Sequence, residues 1–256
     1  HVAAITDQSL LNYSEYKRVN VEATRSLLEL SIKADVKTFV FVSSANAFGY
    51  GCKNNPGDES AEPKEPFTKS FYAQSKIEAQ HMVLSYKDKI SIIVTNPTFM
   101  LGAFDSKPSS GKIILMGYKK KIIFYPPGGK NFIHVADAAN GVINAMETGK
   151  NGEAYLLANE NLSYKEFFQK LSDITHNQPV YVRTPRLLLL IVGCIGSLLR
   201  SMGIKTELSL SNMKILCVNN YYRNDKATNE LNLNYKNIGI AINDEVEWFK
   251  EQGMIV

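Results

Sequence analysis

The sequence predicts a doubly wound α/β fold, on three observations. Helix-like and strand-like periodicities alternate along the chain, the strand-like runs are apolar without a polar face, and Gly/Pro-rich stretches separate them. Of the 256 residues, 45% are hydrophobic and 21% charged. That composition suits one large or two small domains with a real core and excludes a disordered or fibrous chain. Twenty-nine Lys+Arg against 25 Asp+Glu leave a formal charge of +4. No run concentrates the basic residues as a nucleic-acid surface requires, so no nucleic acid is expected and a small-molecule partner is.

Each element has its own warrant. Tyr16, Val19, Ala23, Leu27, Leu30 and Ala34 recur at spacings of three and four, one apolar stripe of a long helix that ends near Asp35. Residues 36–42 form a β-rich run that stops at Ser43-Ser44, the pattern of a parallel strand covered on both faces. Pro56, Gly57, Pro63 and Pro66 mark a loop, helical spacing resumes over 72–86, and residues 90–94 supply a second buried strand. Strand, helix, strand in that order implies parallel pairing through a crossover. Beyond Gly102 the pattern loosens into turns, then gives a short strand over 132–135 and a helix over 137–146. We divide the chain into residues 1–160, carrying the sheet, and 161–256, a smaller, mostly helical cap over the substrate end.

The longest apolar run, Leu187 to Leu199 between Arg186 and Arg200, spans only ~20 Å as a helix. A hydrocarbon core is roughly 30 Å thick, so no stable membrane span is expected; the run reads first as a buried helix of the cap, and otherwise as a membrane-surface or lipophilic-substrate helix. His1 is followed by neither a basic nor an apolar leader stretch, so no secretory signal is read. Cys52, Cys194 and Cys217 are odd in number and widely spaced, which fits a reducing, cytoplasmic setting better than a disulfide framework. His81, His134 and His176 show no metal-ligand spacing, and no metal is predicted.

In such sheets a ligand lies beyond the carboxyl ends of the strands. The residues there are Ser43-Ser44-Ala45 and Asn96-Pro97-Thr98. Tyr72 and Lys76 stand four apart, on one face of their helix, where an ammonium can stabilise a phenolate and bring the phenol down from its usual ~10. On spacing alone, a solvated pair on an exposed helix face is much the better description. Ser44 adds a hydroxyl at the end of a buried strand that can reach the same reacting oxygen. Asn20 falls on the apolar stripe of the first helix, where a polar side chain must find partners. It either caps neighbouring backbone or holds a water beside Lys76.

Taken together, His1-Val2-Ala3-Ala4, Val19-Asn20-Val21-Glu22-Ala23-Thr24, Phe41-Val42-Ser43-Ser44-Ala45-Asn46-Ala47-Phe48-Gly49, Tyr72-Ala73-Gln74-Ser75-Lys76, Asn96-Pro97-Thr98 and Phe132-Ile133-His134-Val135-Ala136-Asp137 make six ordered motifs. In them the sequence resembles the extended short-chain dehydrogenase/reductases, also called NAD-dependent epimerase/dehydratases, over nearly its whole length. The resemblance implies a Rossmann-like sheet and NAD or NADP as cofactor. It implies Tyr72 as general acid/base, Lys76 lowering its pKa and holding the nicotinamide ribose, Ser44 orienting the substrate oxygen and Asn20 supporting a proton relay. Ala3, Ala4, Ser43, Pro97 and Thr98, with Tyr72 and Lys76, would line the cofactor. It also implies a possible homodimer, pairing the helix over 16–34 with the one bearing Tyr72.

The pattern departs from the family at the front. No G-x-G-x-x-G follows a first strand, and Gly49-Tyr50-Gly51 and Gly128-Gly129 read as turn glycines. In the family His1-Val2-Ala3-Ala4 follows the fourth strand, so the expectation is an N-terminally truncated chain that keeps the catalytic half. Where sugar-nucleotide members carry an Arg before the Phe-Ile-His-Val motif, Lys130 stands here, without a guanidinium's bidentate grip on pyrophosphate. The stretches 96–102 and 105–111 and the apolar helix look more like dihydroflavonol-reductase-like and 3β-hydroxysteroid-dehydrogenase-like members. The reading is an NAD(P)-dependent oxidoreductase interconverting a carbonyl and an alcohol on a small hydrophobic substrate. The alternatives are a nucleotide-sugar epimerase/dehydratase and a non-catalytic dinucleotide-sensing scaffold, whose members typically lose the Tyr or Lys that this chain keeps.

Overall fold

The computed structural model describes residues 1–256. The first helical region begins with a short α1 (Tyr13–Tyr16), widens into a π-helical segment over Lys17–Ala23, and returns to α geometry in α2 (Thr24–Lys33). The sequence predicts one continuous helix here. The wide turns centre on Asn20, and segments of this kind recur at functional sites. Strand β1 (Thr38–Val42) starts two residues inside the expected run. Helix α3 (Phe71–Leu84) and strand β2 (Ser91–Pro97) follow, the latter extending three residues past the expected end.

After these come β3 (Phe99–Leu101), α4 (Lys112–Gly117), β4 (Ile122–Tyr125), β5 (Gly129–His134), α5 (Val135–Thr148), β6 (Glu153–Leu157) and β7 (Glu160–Ser163). The chain finishes with α6 (Tyr164–Ile174), β8 (Val180–Arg183), α7 (Arg186–Ser201), α8 (Leu210–Ile215), β9 (Asn219–Asn220), α9 (Asp225–Glu230) and α10 (Ile238–Glu251).

The central sheet runs β1-β2-β6, all parallel, and His1 extends it past β1: its nitrogen donates to the Val40 carbonyl at 2.8 Å and its carbonyl accepts from Val42 at 3.0 Å. Alternation along the strands decides which helix covers which face. Phe39, Phe41, Ile92 and Val94 pack against Val21, Leu28, Ala79 and Val83 of the first helical region and α3. Ile93, Tyr155 and Leu157 point the other way, to Ala138 and Ala145 of α5. Helices on both faces make this the doubly wound, Rossmann-like sheet the apolar runs imply. Strand β6 escapes sequence reading because Glu153-Ala154-Tyr155-Leu156-Leu157 is short and opens on a carboxylate, yet its last three side chains are fully buried.

A second core gathers Leu101, Ile114, Ile123 and Phe132 with Phe167, Leu171, Ile242 and Phe249. Packing thus brings β3, α4, β4 and Phe132 of β5 together with α6 and α10, while the next residue, Ile133, packs with the central sheet. Phe132 is its hub, stacked on Phe167 with centroids 4.7 Å apart and meeting Phe99 edge-on at 5.5 Å. Helix α6 enters this core under a capping box: Ser163 Oγ accepts from the Glu166 amide, and the Glu166 carboxylate accepts from the Ser163 amide.

Helix α7 corrects the expectation of a buried helix. Its inner face is held by Gly193 and Gly196, because a Cβ on Gly196 would lie 1.5 Å from the Leu208 carbonyl oxygen. Its outer face, with Leu187 at 69% and Leu198 at 63% exposure, meets nothing. A run apolar all round implies burial on every side, but two glycines concentrate the close packing on one narrow strip.

Glu245 of α10 is fully buried where the cap meets Gly102, whose amide donates to one carboxylate oxygen at 3.2 Å while the other lacks a partner. Burial raises its pKa from 4.5 to about 8. The folded state therefore keeps a proton that the unfolded chain releases, so Glu245 makes stability fall as pH rises from about 4.5 to about 8. In Glu245→Gln that part of the alkaline loss should vanish, as read from urea midpoints at pH 5 and pH 8.

Candidate active site

The carboxyl ends of β1 and β2 are tied to α3 by buried polar groups. Lys76, 2% exposed, reaches under the sheet end, its Nζ donating to the Val42 carbonyl at 2.8 Å and lying 4.7 Å from the Phe41 ring centroid. Asn96, fully buried at the end of β2, donates to the Ser44 carbonyl at 2.9 Å and to Gln80 Oε1 of α3 at 2.7 Å. Asn96 and Gln80 are the positioning residues that sequence reading missed. Asn96 stood in a motif already singled out, and a buried amide beside a strand end was the available signal.

Ser44 begins a short 3₁₀ turn, its Oγ accepting from the Asn46 amide at 3.2 Å. The Tyr72 phenol, half-buried on the first turn of α3, is near enough for the Ser44 hydroxyl to favour its phenolate. The structure thus brings Tyr72 and Ser44 together at one strand end, with Lys76 a turn further along. The electrostatics differ from the expected pattern. Burial raises the Tyr72 pKa above its ordinary 10, and only Ser44 pulls it back. Lys76 is itself lowered from 10.5 to about 8 by burial, and its ammonium is committed to a backbone carbonyl. In this arrangement the phenol is protonated at neutral pH.

Asn20 is buried, and both ends of its amide are committed. Its Oδ1 accepts from the Ile5 amide at 2.8 Å, while Nδ2 donates to the Ile5 carbonyl at 3.0 Å and to Ser75 Oγ at 2.9 Å. Instead of being free to carry a water, the side chain pins the segment that follows Ala3 and Ala4 to α3. Ala3 is exposed and Ala4 half-buried at the edge of this segment. Ser43 is buried, its amide held by the Thr95 carbonyl at 2.7 Å and its Oγ unpartnered. Pro97 is buried, and the Thr98 hydroxyl is taken by Asn131 Oδ1 at 2.8 Å.

Two further groups border this end of the molecule. Arg200 of α7 donates to the carbonyls of Gln8, Ser9, Leu10 and Thr206, stitching the cap onto residues 8–10. Lys130 lies with Nζ 4.3 Å from the Phe99 ring centroid, and burial lowers its pKa to about 8.

A profile of the NAD dependent epimerase/dehydratase family matches residues 1–158. The chain belongs to this family. As a family member it resembles a Synechocystis sp. protein provisionally named dihydroflavonol 4-reductase, at 30% identity over 262 residues that cover 100% of this chain and 76% of the relative. It is also 28% identical to sterol demethylase protein B of Methylococcus capsulatus, over 100% of this chain and 79% of that one. Its fold superposes on the crystal structure of gox2253 with a TM-score of 0.82 and 28% identity, covering 100% of this chain and 79% of that one.

The family's NAD fits what the site displays: a phenol, a buried ammonium and an orphaned Ser43 hydroxyl at the carboxyl ends of parallel strands, where a dinucleotide binds. Residues 1–256 hold no glycine-rich turn of the G-x-G-x-x-G kind for its pyrophosphate.

Two measurements test this architecture. Lys76 is protonated in the unfolded chain up to 10.5 but in the folded one only to about 8, so between those values stability rises with pH. Lys76→Met should abolish that rise in chemical melts taken at pH 8 and pH 10. Arg200→Lys, lacking a fork of donors, should speed amide exchange across residues 5–12 and leave β1 unchanged.

Proposed function

We propose that the chain carries the acid/base machinery of an NAD(P)-dependent oxidoreductase that interconverts a carbonyl and an alcohol on a small hydrophobic substrate. The observation that carries the reading is the meeting of Tyr72 and Ser44 at the end of β1, with Lys76 anchored beneath. Bound NAD(P) would supply or accept the hydride at the substrate carbon. Ser44 Oγ donates a hydrogen bond to the substrate oxygen and orients it toward Tyr72. The protonated phenol then gives its proton to that oxygen in the reducing direction and takes it back in the oxidising one. Lys76 holds α3 against β1 so that the phenol keeps its distance from the strand end. Asn20 has a positional role, fixing the Ile5 segment to Ser75.

The preference for a hydrophobic, non-nucleotide substrate rests on Lys130. Its ammonium sits on the Phe99 ring, and a lysine lacks the bidentate fork with which a guanidinium grips a pyrophosphate. The names of the two similar relatives, a dihydroflavonol reductase and a sterol demethylase component, point to the same substrate class.

The test is turnover of reduced nicotinamide against a panel of hydrophobic ketones, followed by its absorbance. Tyr72→Phe should lower the rate by roughly 10²–10⁴-fold while the dissociation constant for the dinucleotide stays the same. Undiminished turnover in that variant would remove Tyr72 from the mechanism. Isomerised nucleotide sugar without net nicotinamide oxidation would favour the epimerase reading.

A further inference from the structure

The outer face of α7 is a surface without a partner. From Leu188 on, Ile191, Ile195, Leu198 and Met202 follow at three- and four-residue spacing, with Leu187 beside the first, and each of the six is between 49% and 69% exposed. Exposed Cys194 falls in the same stripe, so no charged side chain interrupts it. Single exposed apolar residues are ordinary on a monomer, but a continuous row along a whole helix is not.

The two-stranded β4–β8 pair leads into this helix through Thr184 and Pro185 and repeats the pattern. Ile123 faces the second core, whereas Ile122 and Phe124 on one strand and their register partners Val180 and Val182 on the other are turned outward.

Charge identifies what covers this surface. The stretches 106–136 and 174–206, which contain β4, β8 and α7, hold no aspartate or glutamate. Exposed basic side chains stand at the ends of the apolar faces: Lys120 and Lys121 before β4, Arg183 at the end of β8, Arg186 at the start of α7 and Lys205 after it. A protein partner of comparable apolar area would be free to present either charge. The one carboxylate close beside α7, Glu207, is paired with Lys112 at 2.7 Å, so an apolar stripe with a mainly cationic fringe complements acyl chains beneath anionic headgroups. The 16 residues of α7 reach only ~24 Å, less than the roughly 30 Å of a hydrocarbon core, and no helix of the chain is long and apolar enough to span. The helix must therefore lie in the interface plane.

We infer that α7, with the outer face of the β4–β8 pair, docks the protein on the surface of an anionic lipid bilayer. Docking in this way does not depend on the reaction the site performs. Arg200, on the inner side of the same helix, bonds to the segment beside the strand ends, so the docked helix would hold the cap and the site at a fixed height above the lipid.

The test is flotation of the full chain on a density gradient with vesicles of phosphatidylcholine alone, or of phosphatidylcholine and phosphatidylglycerol in equal parts. The expected result is co-flotation with the anionic vesicles that weakens as salt is raised. Ile191→Gln with Ile195→Gln and Leu198→Gln should abolish it without changing the circular dichroism spectrum. Lys120→Gln with Lys121→Gln, which leaves the apolar face intact, should weaken binding by roughly fivefold per charge removed. The inference is overturned if the protein stays at the bottom with anionic vesicles at low salt, or if the triple variant floats as well as the parent. It is equally overturned if the chain self-associates through this face and the vesicles fail to compete, since a second copy would then be the occupant.

Discussion

A lysine ammonium buried under the end of the sheet is the constraint on which the rest of the site depends. Removing Lys76 from water is costly, and its recompense is one carbonyl, that of Val42, and one aromatic face, that of Phe41. Those contacts set the distance between α3 and the last residue of β1. Tyr72, one turn before Lys76, is placed by them, and Ser44, two residues beyond Val42, is placed from the other side. Asn96 repeats the device at β2, linking the Ser44 carbonyl to Gln80. A helix and two strand ends thus share a polar seam in which nearly every buried donor has an assigned acceptor.

The seam also sets the electrostatics. With Lys76 spent on a carbonyl, the phenol feels mainly its own burial and stays protonated, which suits an acid that gives up its proton to a developing alkoxide. The serine is the one group that favours the phenolate. Unpartnered Ser43 Oγ and Asn96 Oδ1 mark the same strand ends. Orphaned polar atoms are costly in a closed core and are commonly kept where a functional site needs them.

The second core answers a different need. Its hub, Phe132, belongs to a strand whose Asn131 accepts from the Thr98 hydroxyl just past β2, so that packing of this second core also fixes the end of that strand. Arg200 closes the opposite side by gathering four carbonyls onto one guanidinium. The cost of this construction is α7 itself: its glycine strip packs well on α8, and its apolar outer strip is left to the surroundings.

Much of this molecule was legible before its coordinates. Local periodicity located β1, α3, β2, β5 and α5, because each buries a regular set of side chains, and ordered motifs identified Tyr72, Lys76 and Ser44 as one group. Reading failed where neighbours distant in sequence decide the outcome. The π-helical segment arises around Asn20, whose side chain is claimed by Ile5 and Ser75. Leu101, Ile114, Ile123 and Phe132 join a core completed by α6 and α10. The commitment of Lys76 to Val42 rather than to the phenol depends on burial, which a spacing of four cannot report. The exposure of α7 follows from two glycines that meet a segment downstream of them. The sequence by itself determined the alternation of elements and the chemical types at the strand ends, since both are local properties of the chain. Only the tertiary structure decided which polar groups are satisfied and which apolar faces are covered, because hydrogen-bond partners and buried area are properties of pairs of segments.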